Sequence, residues 1–130
     1  MRIGMHRITQ GLLGLILIGF SMTPLFGWEP PPVATGAELM RDAIVGSGYI
    51  LPLILIVYLV VGVSWLVNRF VPLSALILFP ICVNILLFHT ILNREPFGVI
   101  AAALLFLANV YILVRNLPSY ATLMRAKVAR

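Results

Sequence analysis

Apolar residues gather into four long runs, roughly residues 8–27, 48–67, 71–91 and 97–114, with short polar breaks between them. A helix of ~20 apolar residues spans the ~30 Å hydrocarbon core of a bilayer, and each run is about that long. The break NRF between the second and third runs allows only a tight turn, as does LNREPFG between the third and fourth. Consecutive elements joined so briefly must lie side by side and run in opposite directions. The pattern therefore predicts an all-α integral membrane fold, a four-transmembrane-helix antiparallel bundle.

The one long connection, residues 28–47, divides into two parts. Its start, WEPPPVATG, carries three prolines that prevent regular helix. GAELMRDAIVGSG then reads as a short amphipathic helix, with Ala37, Met40, Ala43 and Ile44 on one face and Glu38, Arg41 and Asp42 on the other. Gly46 and Gly48 end it, and Trp28 and Tyr49 mark the aromatic belt at the membrane boundary. The tail, residues 115–130, breaks at Pro118 and continues as an interfacial segment whose basic residues favour an anionic leaflet.

Inside the runs, Gly11, Gly14 and Gly19 in the first and Ala101, Ala102, Ala103 and Ala108 in the fourth permit close helix approach. Pro52 sits near the start of its run, where the missing N–H costs little. Pro80 lies within the third and is expected to bend it and free the carbonyl of Leu76. MRIGMHR followed by GLLGLILIGF has the form of a signal peptide, but the apolar stretch continues to Trp28 without a nearby small-residue cleavage site. It is read as a retained first helix, and the chain as a single membrane domain over residues 1–130.

Charge sets the expected orientation. The chain has nine Lys and Arg, four Asp and Glu, and a net charge of +5. With both termini cytoplasmic, Arg2, Arg7, Arg69, Arg115, Arg125, Lys127 and Arg130 fall inside, leaving Arg41 and Arg94 outside with all four acids. Short basic segments resist translocation, which favours this threading. The amphipathic helix then belongs to the first outer loop. The inner basic residues are expected to meet lipid head groups or a docking partner, the natural counterions of charge that flanks apolar runs. No basic stripe beside aromatics suggests nucleic acid. At 62% hydrophobic and 10% charged, the composition excludes a water-soluble fold, which carries about 25% charged residues.

Groups able to do chemistry are few. Cys82 is a lone cysteine read as a soft core residue, and His6 and His89 belong to opposite membrane faces, so no metal site is expected. Every carboxylate is in an outer segment, which leaves a transmembrane proton relay nothing to use. Tyr58, Ser74, Asn84, His89 and Asn109 remain within the bilayer. By helical rise Asn84 and Asn109 differ in depth by roughly 10 Å, so each needs another partner, such as a carbonyl near Pro80 or a hydroxyl. Asn84 and His89 are about 140° apart around a straight helix, so only a pocket built from several helices could use both. Tyr58, Asn84 and His89 are the ligand candidates, with a lipid-soluble molecule such as a quinone as the occupant. No other cofactor is expected. Glu38, Arg41, Asp42, Arg94 and Glu95 form an outer polar rim suited to docking, where His89 could donate to Glu95 or Asp42.

The stretch SGYILPLILIVYLVVG…NRFVPLSALILFPICVNILLFHTIL resembles the DoxX-like family of small four-helix bacterial membrane proteins. The likeness is carried by Ser47, Gly48, Tyr49 and Pro52, by RFVPL from Arg69 to Leu73, and by Pro80, Val83, Asn84, Leu86, Leu87, Phe88 and His89. It implies a bacterial cytoplasmic membrane. Some relatives resemble the membrane subunit of a thiosulfate:quinone oxidoreductase, and others tether redox or detoxifying enzymes. Relatives often carry a basic residue and a Glu where this chain has Leu55 and Tyr58, a departure that leans towards a structural role. The expected function is thus a non-enzymatic accessory subunit of a larger, redox or energy-converting inner-membrane complex. The alternative is a quinone-linked oxidoreductase subunit using the region of Asn84 and His89.

Overall fold

The structure is a computed structural model that describes residues 4–27, 29, 31–121 and 123–124. Every regular element among the described residues is helical: α1 (Met5–Met22), α2 (Thr35–Gly46), α3 (Ile50–Leu66), α4 (Val71–Leu87), α5 (Pro96–Arg115) and α6 (Leu117–Tyr120). Trp28, Arg2, Arg125, Lys127 and Arg130 lie outside the described residues.

Three segments are long and apolar enough to cross a membrane: Met5–Phe26, Val71–Asn93 and Pro96–Arg115. A fourth is reached by counting α2 and α3 together, although they meet at 80°. On its own α3 has 17 residues, or ~25 Å of helix, shorter than the run suggested. Its start is set by Gly48, at φ +74°, which turns the chain out of α2 before Ile50. The Ser47 hydroxyl accepts from the Ile50 N–H at 3.1 Å and completes that corner.

Prolines punctuate the helices where a lost N–H does little harm. Pro24 opens a 3₁₀ turn, Thr23–Phe26, that takes over where α1 ends, and Gly27 closes it at φ +69°. Pro72, Pro96 and Pro118 lie in the first two positions of α4, α5 and α6. Pro80 is different: it sits inside α4, and the helix runs on past it. Beyond Leu87 the turns widen into a π-helix, Phe88–Asn93, which Arg94 ends at φ +50°.

Packing follows chain order. α1 lies along α3, α3 on α4 and α4 on α5, while α2 rests on the π turn and the start of α3. The shared core contains Leu17, Val61, Trp65, Ala75, Leu78 and Cys82. Outside it, Leu12, Ile16, Leu53, Ile56, Leu104 and Leu107 are exposed. Water would penalise so much uncovered apolar surface, and lipid does not.

A polar knot closes the end that holds the α3–α4 turn. Gln10, a buried amide in α1, donates to the Trp65 carbonyl at 2.7 Å and to Asn68 Oδ1 at 3.0 Å. Trp65 donates its indole N–H to Ser74, which passes a hydrogen bond to the Val71 carbonyl. The Ser64 hydroxyl donates to the Arg69 carbonyl. From the tail, Tyr120 donates to the Pro72 carbonyl at 2.8 Å, and burial raises its pKa, which keeps the donor protonated. Because Gln10 and Tyr120 both reach this turn, the exposed Arg7, Arg69 and Arg115 lie towards the same end of the molecule.

Candidate ligand cavity

At the opposite end, a cavity of about 630 Å³ opens between helices. α3 contributes Leu51, Ile54, Leu55 and Tyr58, the i, i+3, i+4, i+7 stripe of one helix face. α4 contributes Ile81, Asn84 and Ile85, and Phe88 and His89 follow in the π turn, Phe88 extending the same spacing. Phe20 of α1 and Thr23 of the following 3₁₀ turn close one side, and Met40, Arg41, Ile44 and Val45 of α2 lie over the top. The size falls in the range of small-molecule sites, as does the character: apolar walls with a few convergent polar groups.

The three ligand candidates thus meet in one place. A straight helix puts Asn84 and His89 on different faces, yet the cavity's α4 wall is broad, and they occupy its two edges. Tyr58 faces them from α3. The other polar groups inside the apolar helices lie away from the cavity. Ser74 belongs to the knot at the far end, and Asn109, fully buried, donates to the Ala75 carbonyl at 3.3 Å. That acceptor is one residue from Leu76, the carbonyl expected to be freed by Pro80. Among the described residues, Tyr58 and Asn84 have no side-chain hydrogen bond, which leaves their polar atoms for an occupant.

The outer rim differs from its expected form. Arg41 does not share a solvent face with Glu38 and Asp42. Ala37, Met40, Arg41 and Ile44 are the residues α2 turns inward, while Ala43 is exposed. Arg41 reaches Asp42 at 2.9 Å and lines the cavity with the rest of its side chain. Glu95 is spent as the cap of α5, accepting from the N–H groups of Phe97 and Gly98. Arg94 donates to the Ile91 carbonyl at 3.0 Å. His89 donates to neither Glu95 nor Asp42: its Nδ1 is buried without a partner among the described residues. Asn93 has a role the sequence did not suggest, accepting from the Ala34 N–H at 2.9 Å and so tying α2 down over the cavity.

Among the described residues no group of three His, Cys, Asp or Glu side chains could hold a metal ion. The chemistry available in the cavity is hydrogen bonding from a phenol, an amide and an imidazole, with one guanidinium at the mouth. No protein-family model matches the chain, and no curated protein or solved structure matches it either.

Proposed function

We propose that this protein is a multi-pass subunit of the bacterial cytoplasmic membrane that holds a lipid-soluble ligand, such as a quinone, for a larger redox or energy-converting complex. In this reading the chain crosses the membrane four times as an antiparallel bundle, with both termini in the cytoplasm and α2 lying in the outer interface. Its basic end meets anionic lipid head groups, and it belongs with the DoxX-like proteins.

The carrying observation is the convergence of Tyr58, Asn84 and His89 on one otherwise apolar cavity. Tyr58 is half-buried and Asn84 exposed, and their unpaired phenol and amide share one apolar cavity, where an occupant with acceptor oxygens would satisfy both. A quinone head group supplies carbonyl oxygens for those donors, and its isoprenoid tail suits the Ile and Leu walls. The 80° corner between α2 and α3 supports the interfacial placement, because it turns an amphipathic helix across the bundle's end. The clustering of Arg7, Arg69 and Arg115 at the far end supports the orientation. Electron transfer itself would belong to the partner.

Purification through a C-terminal tag from native membranes in mild detergent, with mass spectrometry of proteins and extracted lipids, tests this reading. A stoichiometric membrane complex together with a quinone is expected. A lone protein with no enriched lipid-soluble molecule would contradict both halves.

A further inference from the structure

We propose that Gly98 is a positioning residue for the cavity: its missing side chain is the slot that holds His89 with the Nε2 side of the ring free to donate to the ligand. This rests on the ligand-holding reading above, and it gives that site a residue on α5, a helix that contributes no side chain to the cavity wall.

Gly98 is buried in the first turn of α5. A Cβ there would collide with His89 Nδ1, would lie 2.7 Å from His89 Cε1, and would sit 3.0 Å from a Glu95 carboxylate oxygen. Any residue other than glycine therefore evicts the imidazole. Phe88 braces the ring from the side, edge to face at 5.3 Å between centroids. The Nδ1–Cε1 edge thus lies against α5 at Gly98, and His89 still lines the cavity.

The tautomer follows from the same contacts. Nδ1 is buried without a hydrogen-bond partner among the described residues. A buried N–H left unpaired is rarer and costlier than a buried lone pair, so the proton of the neutral ring sits on Nε2. His89 then joins the Tyr58 hydroxyl and the Asn84 amide as a third donor. A head group rich in acceptor oxygens fits that set, and an oxidised quinone with two carbonyls fits better than its hydroquinone.

The clash falls on the movable end of a side chain, not on backbone, so Gly98→Ala should fold with the ring swung aside. The test compares wild type, Gly98→Ala, His89→Ala and the double variant in detergent. Calorimetry measures binding of an alkyl-tailed benzoquinone, and ¹⁵N NMR of labelled histidine reports the ring. Expected are a wild-type His89 protonated at Nε2, binding weakened about fivefold to tenfold by either single change, the equivalent of one lost hydrogen bond, and no further loss in the double. Equal binding by Gly98→Ala and wild type, additive losses, or an Nδ1-protonated ring would overturn the proposal. If Gly98→Ala does not fold, the double variant, whose slot is empty, must fold and bind like His89→Ala, and its failure too would overturn it. A wild type that binds no quinone would sink the ligand reading instead. The His89 signals, which move on Gly98→Ala only if the ring is displaced, would still decide the placement.

Discussion

Gly14 of α1 and Gly62 of α3 cross so closely that a Cβ on Gly14 would lie 2.8 Å from the Gly62 carbonyl oxygen, and one on Gly62 2.7 Å from the Gly14 carbonyl oxygen. Neither obstacle can rotate away, because both are backbone. In a bilayer, where lipid is as apolar as leucine, such close approach is what holds two helices together. Gly14→Ala or Gly62→Ala should therefore force α1 and α3 apart and cost about 1–3 kcal/mol. Gly11 and Gly19 have nothing within 4 Å of an added Cβ, and alanine there should change stability by less than about 0.5 kcal/mol. Thermal unfolding of the four variants in one detergent separates them.

Gln10 is the second fastener of the same pair. Replacing it with leucine removes both hydrogen bonds to the α3–α4 turn and strands the Trp65 carbonyl, at a cost of about 1–3 kcal/mol. Asn68, at φ +55°, should accept glycine with less loss than valine, whose branched side chain resists the left-handed region. Chemical unfolding of Gln10→Leu, Asn68→Gly and Asn68→Val would expose the order.

Asn109 is expected to matter little. Its one bond, to Ala75, is long at 3.3 Å, and its Oδ1 is buried without a partner among the described residues. Hydrogen bonds between membrane helices average ~0.6 kcal/mol, so Asn109→Leu should shift stability by less than about 1 kcal/mol and leave ligand binding unchanged. A large loss of binding would mean that the ligand reaches much deeper than the cavity described.

Cys82 is 1% exposed in the core. A maleimide should fail to label it in folded protein and react fully after denaturation. Rapid labelling in the native state would show that the α3–α4 packing is wrong.

The helices were legible because hydrophobic run length is a strong signal: α4 begins at Val71 and α5 at Pro96, each within a residue of the pattern. The corners were less so. α3 is shorter than its run because Gly48, which the sequence marks as the end of the amphipathic helix, also turns the chain before Ile50, and apolar run length does not register the angle of that corner. The charge of Arg41 places it with Glu38 and Asp42, but its spacing sets it on the inward stripe with Ala37, Met40 and Ile44, and in a helix packed on the fold the spacing decides. Tyr58, Asn84 and His89 stood out as polar residues in apolar runs. Gln10 carries the same signal near the start of the first run, and its burial comes from the α3–α4 turn folding back onto α1, which run length does not reveal. Gly98 had no signal at all, since its role depends on a ring nine residues away that only the fold brings against it.

The most direct test of the cavity is photo-crosslinking with an azido-benzoquinone carrying an alkyl tail, followed by mapping of the adducts by mass spectrometry. Adducts should fall on Ile54–Tyr58 and Ile81–His89 and disappear when excess unmodified quinone competes. Labelling spread over the outward faces, at Leu104 and Leu107 as much as at Tyr58, and unaffected by competitor, would mean that the quinone merely dissolves around the protein and that the cavity has another purpose.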